Sequence, residues 1–306
     1  MGLKGVLTFL FVMLAIFLFL AYWLIPFGTK EFFSMSGNDN FNFSVDSSVN
    51  VTQFYDNLRY ADSNISYRID NDCPEFKKTS IENSFNTISN LTFLNFYPVV
   101  YGEEISAYCR DRSRPSGGGF FIAGEGGPIN ITKLGNFNLI LHGEILLVKE
   151  SKCKIPNIGI HEIFHALGFD HSMNPNSVMY NVSNCDQEIG EDLIKKVNEL
   201  YSYPPYPDLL LENVSAVMNG KYLDTNITIK NDGFIKSKES SLSIYADSKK
   251  IKTIDISPIG AGYGLDIKLN NLFVPQINVN ELKFSIDYSE PELEKINNEI
   301  KLKIKN

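Results

Sequence analysis

The chain has 306 residues, 43% of them hydrophobic, and a net charge of −8. That length accommodates two domains of ordinary size, each with its own core. The acidic balance, with no Lys/Arg cluster to offset it, weighs against nucleic acid and anionic surfaces as partners.

From Gly5 to Phe27 no residue is charged, and Leu, Phe, Ile and Val dominate. As a helix this stretch measures about 34 Å, enough to cross a hydrocarbon core of roughly 30 Å. Tyr22 and Trp23 suit an interfacial belt. Residues 1–30 are therefore predicted to be a transmembrane signal anchor, N-terminus inside, with the remainder extracellular. Secretion after signal cleavage is the alternative, although no small-residue cleavage site stands out before Thr29. Residues 31–52 are polar and Asn/Ser-rich, as in a stalk.

A folded region then opens. ISYRID (65–70) alternates like a strand, and Cys73-Pro-Glu begins a helical segment to about Ser89 carrying Phe76, Ile81, Phe85 and Ile88. LTFLNF and EISAYCR read as strands. The Gly-rich stretch 117–127 reads as loop or loosely paired edge, followed by two strand-length runs, NLILHG and EILLVKE. Helices are predicted over Ile158–Leu167 and Glu188–Ser202, the second with a stripe of Ile189, Leu193, Val197 and Leu200. YPPYP (203–207) ends that pattern, because its prolines resist helix. Beyond it YLDTNITIK, SLSIYAD, KIKTIDI, LKFSIDY and EIKLKIK alternate between turn signals, as in an antiparallel β-sandwich.

Four cysteines, Cys73, Cys109, Cys153 and Cys185, form no Cys-x-x-Cys pair. In an exported chain they read as two disulfides, with three pairings open. The preferred one is Cys73–Cys109 and Cys153–Cys185, the second clipping together the segments that enter and leave the histidine region.

That region is the most specific statement in the sequence. Three of the four histidines fall in HEIFHALGFDH. His161 and His165 stand one helical turn apart on one face. Glu162 lies beside the first, Gly168 permits a sharp turn, and His171 follows. Three neutral imidazoles with an adjacent carboxylate describe one catalytic zinc with an open position. Glu162 is the candidate general base. His142, in a strand-like run, reads as a structural or surface histidine.

HEIFHALGFDHSMNPNSVMY resembles the metzincin metalloendopeptidases and, among them, the matrixins of the matrix metalloproteinase family. Ser172, Pro175 and Met179 follow the third histidine as in matrixins. The resemblance implies that Met179 lies in a tight turn as a hydrophobic floor beneath the zinc. Tyr180 is not assigned as a ligand. SYRI, a helix and LTF resemble the family's first strand, first helix and second strand. IGEDLIKKVNELY, with Glu191 and Asp192, resembles its closing helix. The cysteine-switch motif and the His/Asp-rich segment for further ions are missing. PDLLLENV, IKNDG and SIDYSEPELEKINNE resemble CARDB domains, immunoglobulin-like modules of prokaryotic surface proteins.

The expectation is an α+β chain. An anchor (1–30) and stalk (31–52) precede a metzincin-type domain (53–203), a twisted mixed sheet with three helices. An all-β immunoglobulin-like sandwich follows (204–306). The predicted activity is extracellular zinc-dependent hydrolysis of peptide bonds, with a protein or peptide substrate, the membrane as partner through the N-terminal helix, and a surface ligand for the sandwich. A surface adhesion or scaffold protein with a lapsed protease domain is the alternative.

Overall fold

A computed structural model of the chain describes residues 10–17, 27–34, 51–111, 115–117, 120–149, 153–276 and 278–304. Two compact units emerge, one of residues 35–206 and one of residues 207–306 with 1–34. Residues 10–17 are helical and exposed. Among the described residues no helix is long and apolar enough to cross a membrane, so the predicted transmembrane helix is not found. Most of the Gly5–Phe27 stretch lies outside the described residues. The expected boundary between anchor and stalk at residue 30 is corrected by β1 (Phe27–Ser34), a strand that runs across it.

The 35–206 unit contains β2 (Leu58–Arg59), β3 (Asn64–Ile69), α1 (Glu75–Leu91), β4 (Asn95–Pro98) and β5 (Ile105–Cys109). A short pair follows, β6 (Pro115–Gly117) and β7 (Phe120–Phe121), then β8 (Gly124–Leu134), β9 (Phe137–Leu147), α2 (Asn157–Ala166) and α3 (Glu191–Leu200). The main sheet runs β4-β3-β5-β9-β8, with β2 also beside β9. Its pairs are parallel except β8 with β9, so an antiparallel strand forms one edge.

Local chemistry explains where expectation and structure differ. α1 buries Lys77, Ile81, Ser84, Phe85 and Ile88, whereas Phe76 is 53% exposed. Lys77 tolerates burial because its Nζ donates to Arg110 O at 2.5 Å and to Asp111 Oδ1 at 3.1 Å. NLILHG and EILLVKE, predicted as two strands, form the single strand β9. Gly143 between them marks close approach rather than a turn: a Cβ there would sit 2.4 Å from Tyr60 Oη. Cys73–Cys109 and Cys153–Cys185 are disulfide-bonded, with separations of 36 and 32 residues. Closing loops of that size stabilises by about 3–4 kcal/mol each in the chain-entropy account.

The 207–306 unit contains β10 (Leu209–Asn219), β11 (Tyr222–Asn231), β12 (Ser240–Ala246), β13 (Lys249–Ile256), β14 (Tyr263–Phe273), β15 (Glu281–Asp287) and β16 (Glu299–Lys303). One sheet runs β1-β14-β11-β10, the other β13-β12-β15-β16. Alternating residues from both, such as Ile227, Ile229, Ile244, Leu265, Ile267 and Phe284, build one apolar core. Two strands beyond the five alternating runs, β10 and β14, complete it. β14 has a side free of the other strands of residues 207–306, and β1 occupies it in register from Phe27↔Asn270 to Ser34↔Tyr263.

Arg59 ties the start of the first unit's sheet to the end of α3. Only 1% exposed, it donates to Tyr60 O, Leu200 O, Tyr203 O and Ala61 O and lies over the Tyr201 ring. Burial pulls the guanidinium below its ordinary pKa, opposed by Tyr201 and Asp62. The Leu200 and Tyr203 carbonyls lie at and just beyond the helix C-terminus, where a cation is favoured. Arg59→Leu is expected to lower the stability of this unit by more than about 2 kcal/mol, since it strands buried carbonyls. Denaturant unfolding measures it, and an unchanged midpoint would refute the clamp.

Candidate metal centre

α2 carries two of the three histidines because its sequence is apolar nearly all round. Ile160, Ile163, Phe164 and Ala166 are buried beside His161 and His165, so the helix is sunk in the core and its imidazoles with it. The helix stops at Leu167, and Gly168 takes φ +95°, a left-handed conformation. A side chain there would also strike Leu58 Cδ2 at 2.6 Å. The reversal brings His171 back toward the helix.

The three rings converge. His161 Nε2 and His165 Nε2 lie 2.9 Å apart, and His165 Nε2 and His171 Nε2 3.2 Å. Among the described residues this is the one group of three or more metal-ligating side chains so arranged. The opposite nitrogens fix the tautomers of the first two. His161 Nδ1 donates to Val178 O at 2.7 Å, and His165 Nδ1 to Phe169 O at 2.7 Å. With their protons at Nδ1, both Nε2 atoms present lone pairs, so no hydrogen bond can join them. Nitrogens about 2.0–2.1 Å from one zinc ion at a tetrahedral angle stand about 3.3–3.4 Å apart. The observed spacing is close to that, so the donor set fits zinc.

Burial sets the protonation of these groups. It pulls the His165 pKa down to about 3, with His161 beside it adding to the effect. His161 is also lowered by burial, against its bond to Val178. Both imidazoles are therefore held neutral, the form that binds metal. Glu162, 5% exposed, is pushed up to about 8 by burial and by nearby Glu125. It lies under β8: a Cβ on Gly124 would come within 2.5 Å of Glu162 Oε1, and one on Gly126 within 2.3 Å of Glu162 O. Those two glycines let the edge strand approach the helix, a role that their Gly-rich setting did not disclose.

Met179, 2% exposed, sits in a turn closed by Tyr180 N donating to Ser177 O at 3.0 Å. Its own carbonyl accepts from Ser172 N at 2.8 Å, which ties the turn to the residue after His171. His142 lies apart from the cluster, its Nδ1 3.2 Å from Glu103 O and its Nε2 3.3 Å from Ser106 Oγ. The Cys153–Cys185 disulfide joins the approach to α2 to the loop beyond Met179.

Residues 59–202 match the family model for matrixins, Peptidase_M10, and residues 206–306 match the model for CARDB. The two matches follow one another along the chain, each over less than half of it. The zinc that the matrixin family implies agrees with the histidine cluster. Among solved structures, the CARDB domain of a Pyrococcus furiosus protein in complex with di-metal ions is 18% identical. It covers 32% of this chain and 87% of that one, at a TM-score of 0.29. A domain of a Methanosarcina acetivorans protein described as a cell surface protein is also 18% identical. It covers 31% of this chain and 88% of that one, at a TM-score of 0.27. No curated protein matches the chain.

The shift on Glu162 makes stability depend on pH in zinc-free protein. Its carboxyl titrates at about 8 when folded against 4.5 ordinarily, so on raising pH the unfolded state loses the proton first. The stabilising contribution is complete below about pH 4.5 and is lost as pH rises toward 8. Glu162→Gln, always neutral, escapes that loss. Zinc-free variant should melt above zinc-free parent at about pH 8 and match it at about pH 4. Thermal melts at both values test this, and equal melting at the higher pH would refute it.

Proposed function

We propose that the chain is an extracellular zinc-dependent endopeptidase, anchored to a membrane by its apolar N-terminus. One observation carries the catalytic reading: three imidazole Nε2 atoms converge, and two of those rings spend their Nδ1 protons on backbone carbonyls. His161, His165 and His171 would hold the ion. When bound, zinc supplies Lewis acidity toward a water molecule and the scissile carbonyl.

Glu162 is the general base. It takes a proton from the attacking water and delivers it to the leaving amine. A bound dication would favour its charged form, the one that accepts a proton. β8 supplies the substrate-binding element: at the sheet edge, it offers backbone groups to an extended peptide. Gly124 and Gly126 keep that strand low over Glu162, so a paired peptide would pass near the base. Met179 floors the cluster through the turn that also carries Val178 O, the acceptor of His161.

Two disulfides within the 35–206 unit support an oxidising, extracellular setting. The uncharged run from Gly5 to Phe27 supports membrane attachment, with the CARDB domain as spacer or surface-binding module. Carbonate extraction of expressing cells should leave the full chain in the membrane pellet. Release into the supernatant would refute anchoring.

Elemental analysis with peptide-library cleavage tests the chemistry. The parent is expected to carry one zinc per chain and to cleave peptides. Glu162→Ala should keep its zinc and lose at least about 100-fold in cleavage rate. A zinc-loaded parent inert toward the library would overturn the proteolytic reading and leave adhesion or scaffolding in its place.

A further inference from the structure

The segment just before β2, whose Phe54 packs against the apolar core, also makes a set of contacts to the turn that carries the histidines. Residues 52–54 run antiparallel to the turn between the second and third histidines, bridging Gln53 to Phe169. Phe54 N donates to Gly168 O at 2.9 Å, and Asp170 N donates to Thr52 O at 2.9 Å. Thr52 Oγ1 donates to His171 O at 3.3 Å. The Phe54 ring stacks on the His165 imidazole, centroids 5.7 Å apart and planes 27° from parallel. The strap is itself held, since Gln53 Nε2 donates to Leu58 O at 2.7 Å, and Leu58 packs against Gly168.

We infer that residues 52–54 are a positioning strap for the metal ligands, fixing His165 and His171 for zinc through the turn that joins them. The inference rests on the zinc reading above.

The physical case concerns which ligands need help. His161 and His165 sit on one rigid buried helix. His171 does not: its side chain is 49% exposed, and it follows a glycine whose backbone freedom allows many directions. The strap removes that freedom. Its two backbone bonds hold the peptides at Gly168 and Asp170, and the Thr52 hydroxyl holds the carbonyl of His171 itself. Phe169 O, the acceptor that fixes the His165 tautomer, belongs to the bridged residue. Phe54 covers a face of that same ring. Groups that orient ligands in this way typically contribute about 10- to 100-fold to metal affinity. The region falls at the end of what the sequence reads as stalk, where nothing in composition or periodicity marks a functional residue.

Phe54 also lines a recess with Tyr55, Pro128 and Ile129, so cleavage rates would mix metal retention with peptide binding. The test is therefore zinc affinity, measured on the full chain by competition with a chromophoric chelator. It is paired with the visible d–d spectrum of the cobalt-substituted protein. Phe54→Ala should raise the zinc dissociation constant about 10- to 100-fold and alter the cobalt spectrum. Thr52→Val should raise it by a smaller factor, and Phe54→Tyr, which keeps the ring, should restore it. If Phe54→Ala does not fold, Phe54→Leu and Thr52→Val decide. Variants that bind zinc within about twofold of the parent, with an unchanged cobalt spectrum, would overturn the strap while leaving the zinc reading intact. A parent that binds no zinc would overturn both.

Discussion

His161 Nε2 and His165 Nε2 turn lone pairs toward each other and repel, and the 35–206 unit is organised around forcing them together. The force comes from burial. α2 is apolar around most of its circumference, so it inserts into the core beneath the sheet and carries His161 and His165 with it. Their Nδ1 atoms must then find acceptors, since an orphaned donor in the interior costs about 1–3 kcal/mol. Val178 O and Phe169 O supply them. That requirement reaches outward into two otherwise irregular segments, the turn holding Met179 and the turn holding Gly168. A loop that accepts a hydrogen bond from a ligand is no longer free to vary.

Close backbone approach is the second constraint, and glycines mark where it acts. At Gly124 and Gly126 the edge strand β8 comes down onto Glu162. At Gly143 the neighbouring strand makes room for Tyr60, whose hydroxyl donates to Ala166 O at 3.1 Å. At Gly168 the chain reverses against Leu58. Any Cβ at these four positions would fall within 2.3–2.6 Å of another atom. The sheet, the helix and the ligand turn are thereby pressed into one body around the histidines.

These two constraints explain how much could be read beforehand. The convergence of the histidines was legible because the helical period fixes His161 and His165 on one face whatever surrounds them, and because Gly168 announces a turn. The sandwich strands were legible wherever one face is buried and the other wet, as in β12 and β15. β10 and β14 carry no clear strand signal, since PDLLLENV begins with a solid apolar run and the second half of β14, KLNNLF, loses strict alternation. A glycine inside an apolar run reads as a break between strands, whereas Gly143 within β9 admits Tyr60. Phe76 shares the apolar spacing of α1 with Ile81, Phe85 and Ile88 yet is exposed, because α1 turns Lys77 inward, where two oxygen acceptors wait. The strand at Phe27–Ser34 and the strap at Thr52–Phe54 carry no local pattern at all. Both are backbone pairings to distant segments, and such partners are invisible to periodicity.

Burial has opposite effects on the two kinds of group at the centre, and together they define what the site will accept. It holds His161 and His165 uncharged by lowering their pKa values, and it holds the Glu162 carboxyl protonated by raising its own. His161, His165 and Glu162, all held neutral, offer one another no counterion. An arriving cation meets nitrogen lone pairs that need no deprotonation first, so the ligands impose little proton cost on binding. It also meets a carboxyl whose charge it would stabilise. The arrangement therefore favours a small dication over any anion or second proton. The same burial strengthens each interaction made with a bound cation.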